Sequence, residues 1–335
     1  MSESEPVSNG DLPRVSVVIS THNRSATLQA TLRALAHQDV SPDHYEVIVV
    51  DDGSTDETSA ALAQTRCLHR LKTIRLERNR GVSAGRNAGI RVAQGKWLIL
   101  LSDDMLVGPE FVRLHVATQS AHPGTWVGGA FEQLPGLRST PFGRYLDRLE
   151  RQFDAGRRGA SLADGLVELL APSARCLSMP RVDLDRTGPF DEQFRVTCED
   201  QDLCQRAAAI GVRFVLNPAI ACVHNDASAE VSRYCRFQRN GAADTVRLVR
   251  KYPELHGDAE LVGVNGPAVR TDRPRLLVAK LVKQLGSANA ALHAETALVR
   301  VLERAGASDR VLFWTYRKLI GLYTFRGWRE GLRES

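Results

Sequence analysis

The chain has 335 residues, 43% hydrophobic and 25% charged, an ordinary globular composition able to bury one large core or two smaller ones. No apolar run approaches the ~18 residues that span a bilayer. The net charge of +5 is concentrated at one end: from Arg270 onward 13 Lys and Arg stand against 6 Asp and Glu, while the remainder is slightly acidic. That asymmetry points to an acidic partner for the C-terminal segment and away from a general nucleic-acid-binding protein.

Residues 1–13 are polar and acidic, without the basic and apolar stretches of a secretory signal, and are expected to be a disordered tail. Six scattered cysteines form no CxxC pair, and Cys198, Cys204 and His224 match no common zinc-finger spacing. Reduced thiols and a cytoplasmic location are therefore expected.

Residues 14–20 read as a strand, and residues 26–37 as a helix with Leu28, Leu32 and Leu35 on one face. A strand at 45–50 precedes a helix at 56–64 capped by Ser54 or Thr55. Strands at 72–76 and 96–101 alternate with helices at 82–93 and 109–119. This alternation implies right-handed crossovers and an α/β fold, a mostly parallel sheet flanked by helices. Residues 131–165, rich in Gly and Arg, are expected to be loop or short helices. Short strands are expected at 174–179, 214–216 and 219–223, a helix at 231–251, and about three amphipathic helices over 275–333.

In such a sheet, ligands bind beyond the carboxyl ends of the strands. Two strands here end in carboxylate pairs, Asp51-Asp52 and Asp103-Asp104, placed on the same edge. One pair could merely cap the next helix; two on one edge are costly to hold together without a cation or donors, and they point to function. Between them lies Asn79-Arg-Gly-Val-Ser-Ala-Gly-Arg-Asn-Ala-Gly89 at a strand-to-helix junction. Gly81 permits close backbone approach there, and Arg80 and Arg86 offer donors suited to phosphate oxygens. A third acidic cluster, Glu199, Asp200 and Asp202, opens a helix, where the dipole alone would favour carboxylates. Arg206, four residues on, is placed to hold Asp202 and leave Asp200 facing elsewhere.

Taken in series, Val15-Ser-Val-Val-Ile-Ser-Thr-His-Asn-Arg24, Val49-Val-Asp-Asp-Gly-Ser-Thr-Asp56, Asn79-Arg-Gly-Val-Ser-Ala-Gly-Arg-Asn87, Ser102-Asp-Asp104, Gly188-Pro-Phe-Asp-Glu192 and Glu199-Asp-Gln-Asp-Leu203 resemble the family 2 glycosyltransferases. The resemblance implies the GT-A fold and an inverting transfer of sugar from a nucleotide-diphosphate sugar to an acceptor hydroxyl, in polysaccharide, glycolipid or cell-envelope synthesis. It implies a catalytic domain over 14–228, with a nucleotide-sugar half at 14–130 and an acceptor half at 131–228. A helical region would follow at 229–335. Asp51 and Asp52 would contact the donor base, with Thr21, Asn23 and Arg24 beside them, and Gly81 and Arg86 would also face the donor. Asp103 and Asp104 stand for the family's DxD element, Asp103 toward ribose or sugar and Asp104 toward Mg²⁺ or Mn²⁺, with His224 completing the metal site. Asp200 would be the general base, flanked by Glu199 and Asp202. The segment before the strand at 174–179 lacks the family's usual asparagine, and Gly188-Pro189 replaces a Gly-Gly pair, so the acceptor pocket departs from the pattern.

The basic C-terminal helices read either as an appendage with a solvated face or as an interfacial element that docks to anionic lipid, which would suit a glycan or lipid-linked acceptor at the inner face of the membrane. A sugar nucleotidyltransferase is disfavoured, because Ser20-Thr-His-Asn-Arg24 replaces the glycine-rich basic loop it would carry after the first strand. A binding-only homologue is disfavoured by the joint presence of Asp104 and Asp200.

Overall fold

Val15–Thr21 (β1), Tyr45–Asp51 (β2) and Trp97–Leu101 (β4) are β-branched and aliphatic runs buried along nearly their whole length, as strands covered on both faces must be. With Leu71–Arg75 (β3) they form a parallel block in the order β3-β2-β1-β4. The computed structural model describes residues 15–162, 164–225, 230–254, 265 and 272–334; the tail expected over 1–13 lies outside them.

Helices Ser25–Leu35 (α1), Thr58–Gln64 (α2) and Val82–Val92 (α3) supply the crossovers. The cap expected for α2 at Ser54 or Thr55 is not formed. The Ser54 N–H donates to Asp51 Oδ1 at 2.8 Å and its hydroxyl accepts the Asn23 N–H at 2.9 Å, so the helix starts later, with Asp56 taking the Thr58 N–H. Gly53 turns the chain there at φ +67°, where a Cβ would collide with the Arg78 backbone.

The sheet continues through Cys176–Pro180 (β9), Thr125–Gln133 (β6), Arg213–His224 (β10), Val167–Leu169 (β8) and Arg158–Ser161 (β7), with Met105–Val107 (β5) paired to β10. Strand β9 runs antiparallel to both β4 and β6, and β6 and β10 are parallel, so this half is mixed. The strand β6 had no counterpart in the expected elements. Its Gly128-Gly129 pair weakens the strand signal, yet a Cβ on Gly129 would press on the Ile220 carbonyl at 2.8 Å and Cys176 Sγ at 2.9 Å. The two strands expected at 214–216 and 219–223 are one, β10, with an irregularity between Asn217 and Ala221 where Pro218 lacks an N–H. Helices Phe111–Ala121 (α4), Arg181–Thr187 (α6) and Glu199–Ala209 (α7) flank this half.

Chain contacts divide the molecule into two units. The first comprises the described residues within 15–134, 152–192 and 199–225 and holds the whole sheet. The second comprises 135–151, 193–198 and the described residues from 230 onward.

In the second unit, Val231–Lys251 (α8), Pro274–Gly286 (α9), Asn289–Arg304 (α10) and Asp309–Glu334 (α11) bear out the expected C-terminal helices. Residues 131–165, expected as loop or short helices, instead contain the 17-residue helix Pro141–Arg157 (α5). Its Phe142, Tyr145, Leu146 and Leu149 recur at helical spacing and pack with Cys235, Val299, Leu312, Tyr316 and Leu319. Arg144, one source of its polar look, makes a two-pronged bond to Asp309 at 2.8 and 2.7 Å. On α9, Val278, Leu281, Val282 and Leu285 form an exposed aliphatic stripe. No helix among the described residues is long and apolar enough to cross a membrane.

Candidate active site

The register of the parallel block sets Thr21 beside Asp51, so the loops after β1 and β2 leave the sheet together. Asn23, in the left-handed region at φ 53°, stitches them: its Oδ1 accepts the N–H groups of Thr55 and Asp56 at 2.8 and 3.2 Å. Asn23 thus shapes the mouth of the edge.

The four edge carboxylates are compensated in different ways. Asp51, buried, accepts from Ser54, Ser59 and Arg75 Nη1 (2.9 Å). Burial alone would raise its pKa, but these bonds hold it below the usual carboxylate range. Asp52 takes the backbone N–H groups of Arg80 and Gly81 at 2.7 and 2.8 Å, capping the turn into α3 with a fixed anion. Asp103 accepts the Thr21 hydroxyl at 2.6 Å and meets Arg24 Nε at 3.1 Å. Asp104 Oδ2 is held by Arg24 Nη2 at 2.5 Å and lies 3.3 Å from His224 Nε2, while its Oδ1 is buried with no hydrogen-bond partner among the described residues.

The approach of His224 to Asp104 is a consequence of strand pairing. In the antiparallel β5–β10 ladder His224 stands opposite Met105, and the Asn225 N–H donates to the Asp104 carbonyl at 2.7 Å. Burial would push the Asp104 carboxyl up; His224, Arg24 and Arg175 more than offset that and hold it below its ordinary range.

Arg175, which the sequence reading passed over, sits at the start of β9 with its carbonyl taking the Ser102 N–H at 2.9 Å. Its guanidinium lies over Phe131 at 4.7 Å, and Arg157 lies over the same ring at 5.4 Å. Next to it, the Ala174 N–H donates to Asp200 Oδ2 at 3.3 Å. The short segment 174–175 therefore touches Asp200 on one side and acts on Asp104 on the other. Asp200 is half-buried and, among the described residues, has no salt bridge.

Other expected site residues are placed differently. Arg86, expected on the donor side, is 6% exposed, paired with Glu199 at 2.5 Å and stacked on Phe190. The Gly81 N–H is likewise occupied, by Asp52. Asp202 is fully buried and bound twice by Arg206, at 3.0 and 2.8 Å, as the i, i+4 spacing implied. Glu199 and Asp202 thus brace α7, while Asp200 accepts from the Ala174 N–H before β9. Among the described residues no group of three or more His, Cys, Asp or Glu is arranged to hold a metal by itself.

Burial, with the charge of Asp200 beside it, pushes Glu199 up to about 7 against the pull of Arg86. Its folded state binds the proton more tightly than the unfolded chain, so its contribution to stability is complete below about pH 4.5 and is lost as pH rises through about 7. That loss is on the order of 3 kcal/mol. Urea unfolding of wild type and Glu199→Gln between pH 4.5 and 8.5 should show the stability advantage of wild type shrinking with rising pH. A difference that stays flat or grows contradicts this assignment.

Comparison with known proteins agrees with the geometry. The model described as Glycosyl transferase family 2 matches residues 16–142. Succinoglycan biosynthesis protein ExoU of Rhizobium meliloti (strain 1021) is 30% identical over 253 residues, covering 71% of this chain and 67% of that protein. Validoxylamine A glucosyltransferase of Streptomyces hygroscopicus subsp. limoneus is 38% identical over 121 residues, 36% of this chain; the match spans only 26% of that relative's length. Among solved structures, the mannosyltransferase PcManGT from Pyrobaculum calidifontis, in complex with GDP-Man and Mn2+, aligns with a TM-score of 0.60 at 20% identity, over 96% of this chain and 89% of that one. S. aureus TarS 1-349 in complex with UDP-GlcNAc aligns at 0.52 and 17%, over 96% and 92%. At these identities the structural likeness speaks for the fold, and the sequence relatives speak for the family. With a GT-A sheet edge carrying its acidic pairs in place, the chain is a glycosyltransferase of family 2.

Proposed function

We propose that this chain moves a sugar from a nucleotide-diphosphate sugar to an acceptor hydroxyl with inversion, using Asp200 as general base and a divalent cation, Mg²⁺ or Mn²⁺, held by Asp104 and His224. The observation that carries the reading is the buried Oδ1 of Asp104, an acceptor with no donor among the described residues, beside a histidine at the end of a parallel sheet. An orphaned buried carboxylate oxygen is expensive unless a ligand satisfies it. Two protein groups suit a hard cation that takes its remaining oxygens from phosphates and water. The bound cation would supply charge neutralisation to the departing diphosphate.

The chain's own residues do the rest. Asp51, Asp52 and Asp103 shape the donor side, with Asp51 and Asp52 beside the base and Asp103 toward the ribose or sugar. Arg24 balances Asp103 and Asp104 in this structure, and its guanidinium becomes available to phosphate oxygens once a cation takes over that charge. Asp200, oriented by the Ala174 N–H, would receive the acceptor's proton as the hydroxyl attacks from the face opposite the diphosphate. One base suffices for inversion. Solved relatives hold GDP-Man with Mn2+ or UDP-GlcNAc, and ExoU is named for succinoglycan biosynthesis, which supports a nucleotide-sugar donor and a polysaccharide or envelope glycan product. Family membership sets aside the nucleotidyltransferase alternative.

We further propose that α9 meets an anionic membrane surface, which suits a lipid-linked acceptor. Val278, Leu281, Val282 and Leu285 recur at i, i+3, i+4 and i+7 with 46–77% exposure, and the exposed Arg273 and Arg275 adjoin them.

Asp200→Asn should lower transfer by about 100- to 10,000-fold while leaving donor affinity near wild type by calorimetry; turnover near wild type removes Asp200 as the base. For the membrane, flotation with phosphatidylglycerol vesicles should carry the wild-type chain and lose the Val282→Asp/Leu285→Asp variant. Equal flotation of both, or none for wild type, ends that idea.

A further inference from the structure

We infer that Gln133 partners Nδ1 of His224 in either tautomer of the ring, and so lets Nε2 turn its lone pair to a divalent cation. The inference rests on the metal reading above and adds to it a residue that neither the motifs nor the family pattern marks.

Gln133 is the last residue of β6 and is paired in register with His224, the last of β10. The Leu134 N–H donates to the His224 carbonyl at 3.3 Å, which fixes the two strand ends side by side. From there the Gln133 amide nitrogen reaches His224 Nδ1 at 3.1 Å, and His224 Nε2 lies 3.3 Å from Asp104 Oδ2. Gln133, the imidazole and Asp104 therefore form a short relay that ends at the orphaned carboxylate.

A neutral imidazole has one N–H and one lone pair, and the partner of each nitrogen settles which is which. An amide –NH₂ donating to Nδ1 leaves the ring proton on Nε2, directed at Asp104. That state ties the carboxylate down and offers a cation nothing. Coordination through Nε2 needs the lone pair there and the proton on Nδ1, which in turn needs an acceptor at residue 133. A primary amide can serve as either partner: a half-turn about its last torsion replaces –NH₂ with C=O, with no backbone change. Methionine, of similar length, cannot donate and accepts only weakly, and glutamate can only accept. Gln133 is thus a positioning residue that supports both the cation-free and the cation-ready ring, in the manner of outer partners of metal-binding histidines.

The test uses the full chain as wild type, Gln133→Met and Gln133→Glu, each checked for native unfolding temperature. In the first measurement, ¹⁵N–¹H correlation spectra of labelled imidazole at pH 8 read the His224 tautomer without metal. Wild type should show Nε2–H, Gln133→Glu should shift toward Nδ1–H, and Gln133→Met should show a mixture. In the second, Mn²⁺ titration followed by electron paramagnetic resonance, with UDP or GDP present, should give about 10-fold weaker binding for Gln133→Met, and Gln133→Glu should recover most of it. The same tautomer in all three proteins, or Mn²⁺ bound equally by wild type and Gln133→Met, overturns the inference. Wild type that binds no Mn²⁺ overturns the metal reading instead, and the tautomer spectra then decide the role of Gln133 alone.

Discussion

Four carboxylates converge on one buried corner of the sheet, and the surrounding structure is arranged around the cost of holding their charge there. Asp51 and Asp52 leave β2, and Asp103 and Asp104 follow β4, in a register that the parallel pairing of β1 with both strands makes unavoidable. Negative charge confined at low dielectric is tolerable only when donors or cations surround it. Asp51 is met by hydroxyls and Arg75, Asp52 by the amides opening α3, and Asp103 by Thr21 and Arg24. Asp104 is the exception, since among the described residues one of its oxygens is left without a partner. The imbalance of this one group is the opening on which the proposed metal site rests.

The acceptor side is organised by the same economy of charge. Glu199 meets Arg86 of α3 and Asp202 pairs with Arg206, so α7 is pinned by two guanidinium contacts. Asp200, between them in sequence, accepts among the described residues from the amides of Ala174 and Gln201, with no ion pair. The general base proposed for Asp200 would have to be held in direction yet not neutralised, and this arrangement suits both. Arg175, stacked on Phe131, adds a fixed positive charge that acts on Asp104.

Much of this was legible in the amino-acid sequence. The short β-branched runs of β1, β2 and β4, alternating with helical patterns, show a parallel block, and the carboxylate pairs at their ends follow from it. The Asp202–Arg206 pair follows from helical spacing alone. What stayed hidden depended on contacts distant along the chain. Strand β6 is disguised by Gly128-Gly129, whose value is apparent only when Ile220 and Cys176 are packed against it. Helix α5 is disguised by its arginines, one of which has its partner 165 residues away. Arg86 resembles a phosphate ligand until Glu199, 113 residues on, is found beside it. Gln133 carries no signal without the β6–β10 register.

The claim on which the account turns is that this edge takes a nucleoside diphosphate together with a divalent cation. Calorimetric titration of UDP, GDP and dTDP into the wild-type chain, with Mn²⁺ and with chelator, tests it directly, with Asp104→Ala as the control. The account predicts that one nucleotide binds wild type only when Mn²⁺ is present, and that Asp104→Ala abolishes the metal-dependent part. Binding of equal strength with chelator, or unchanged in Asp104→Ala, would contradict it.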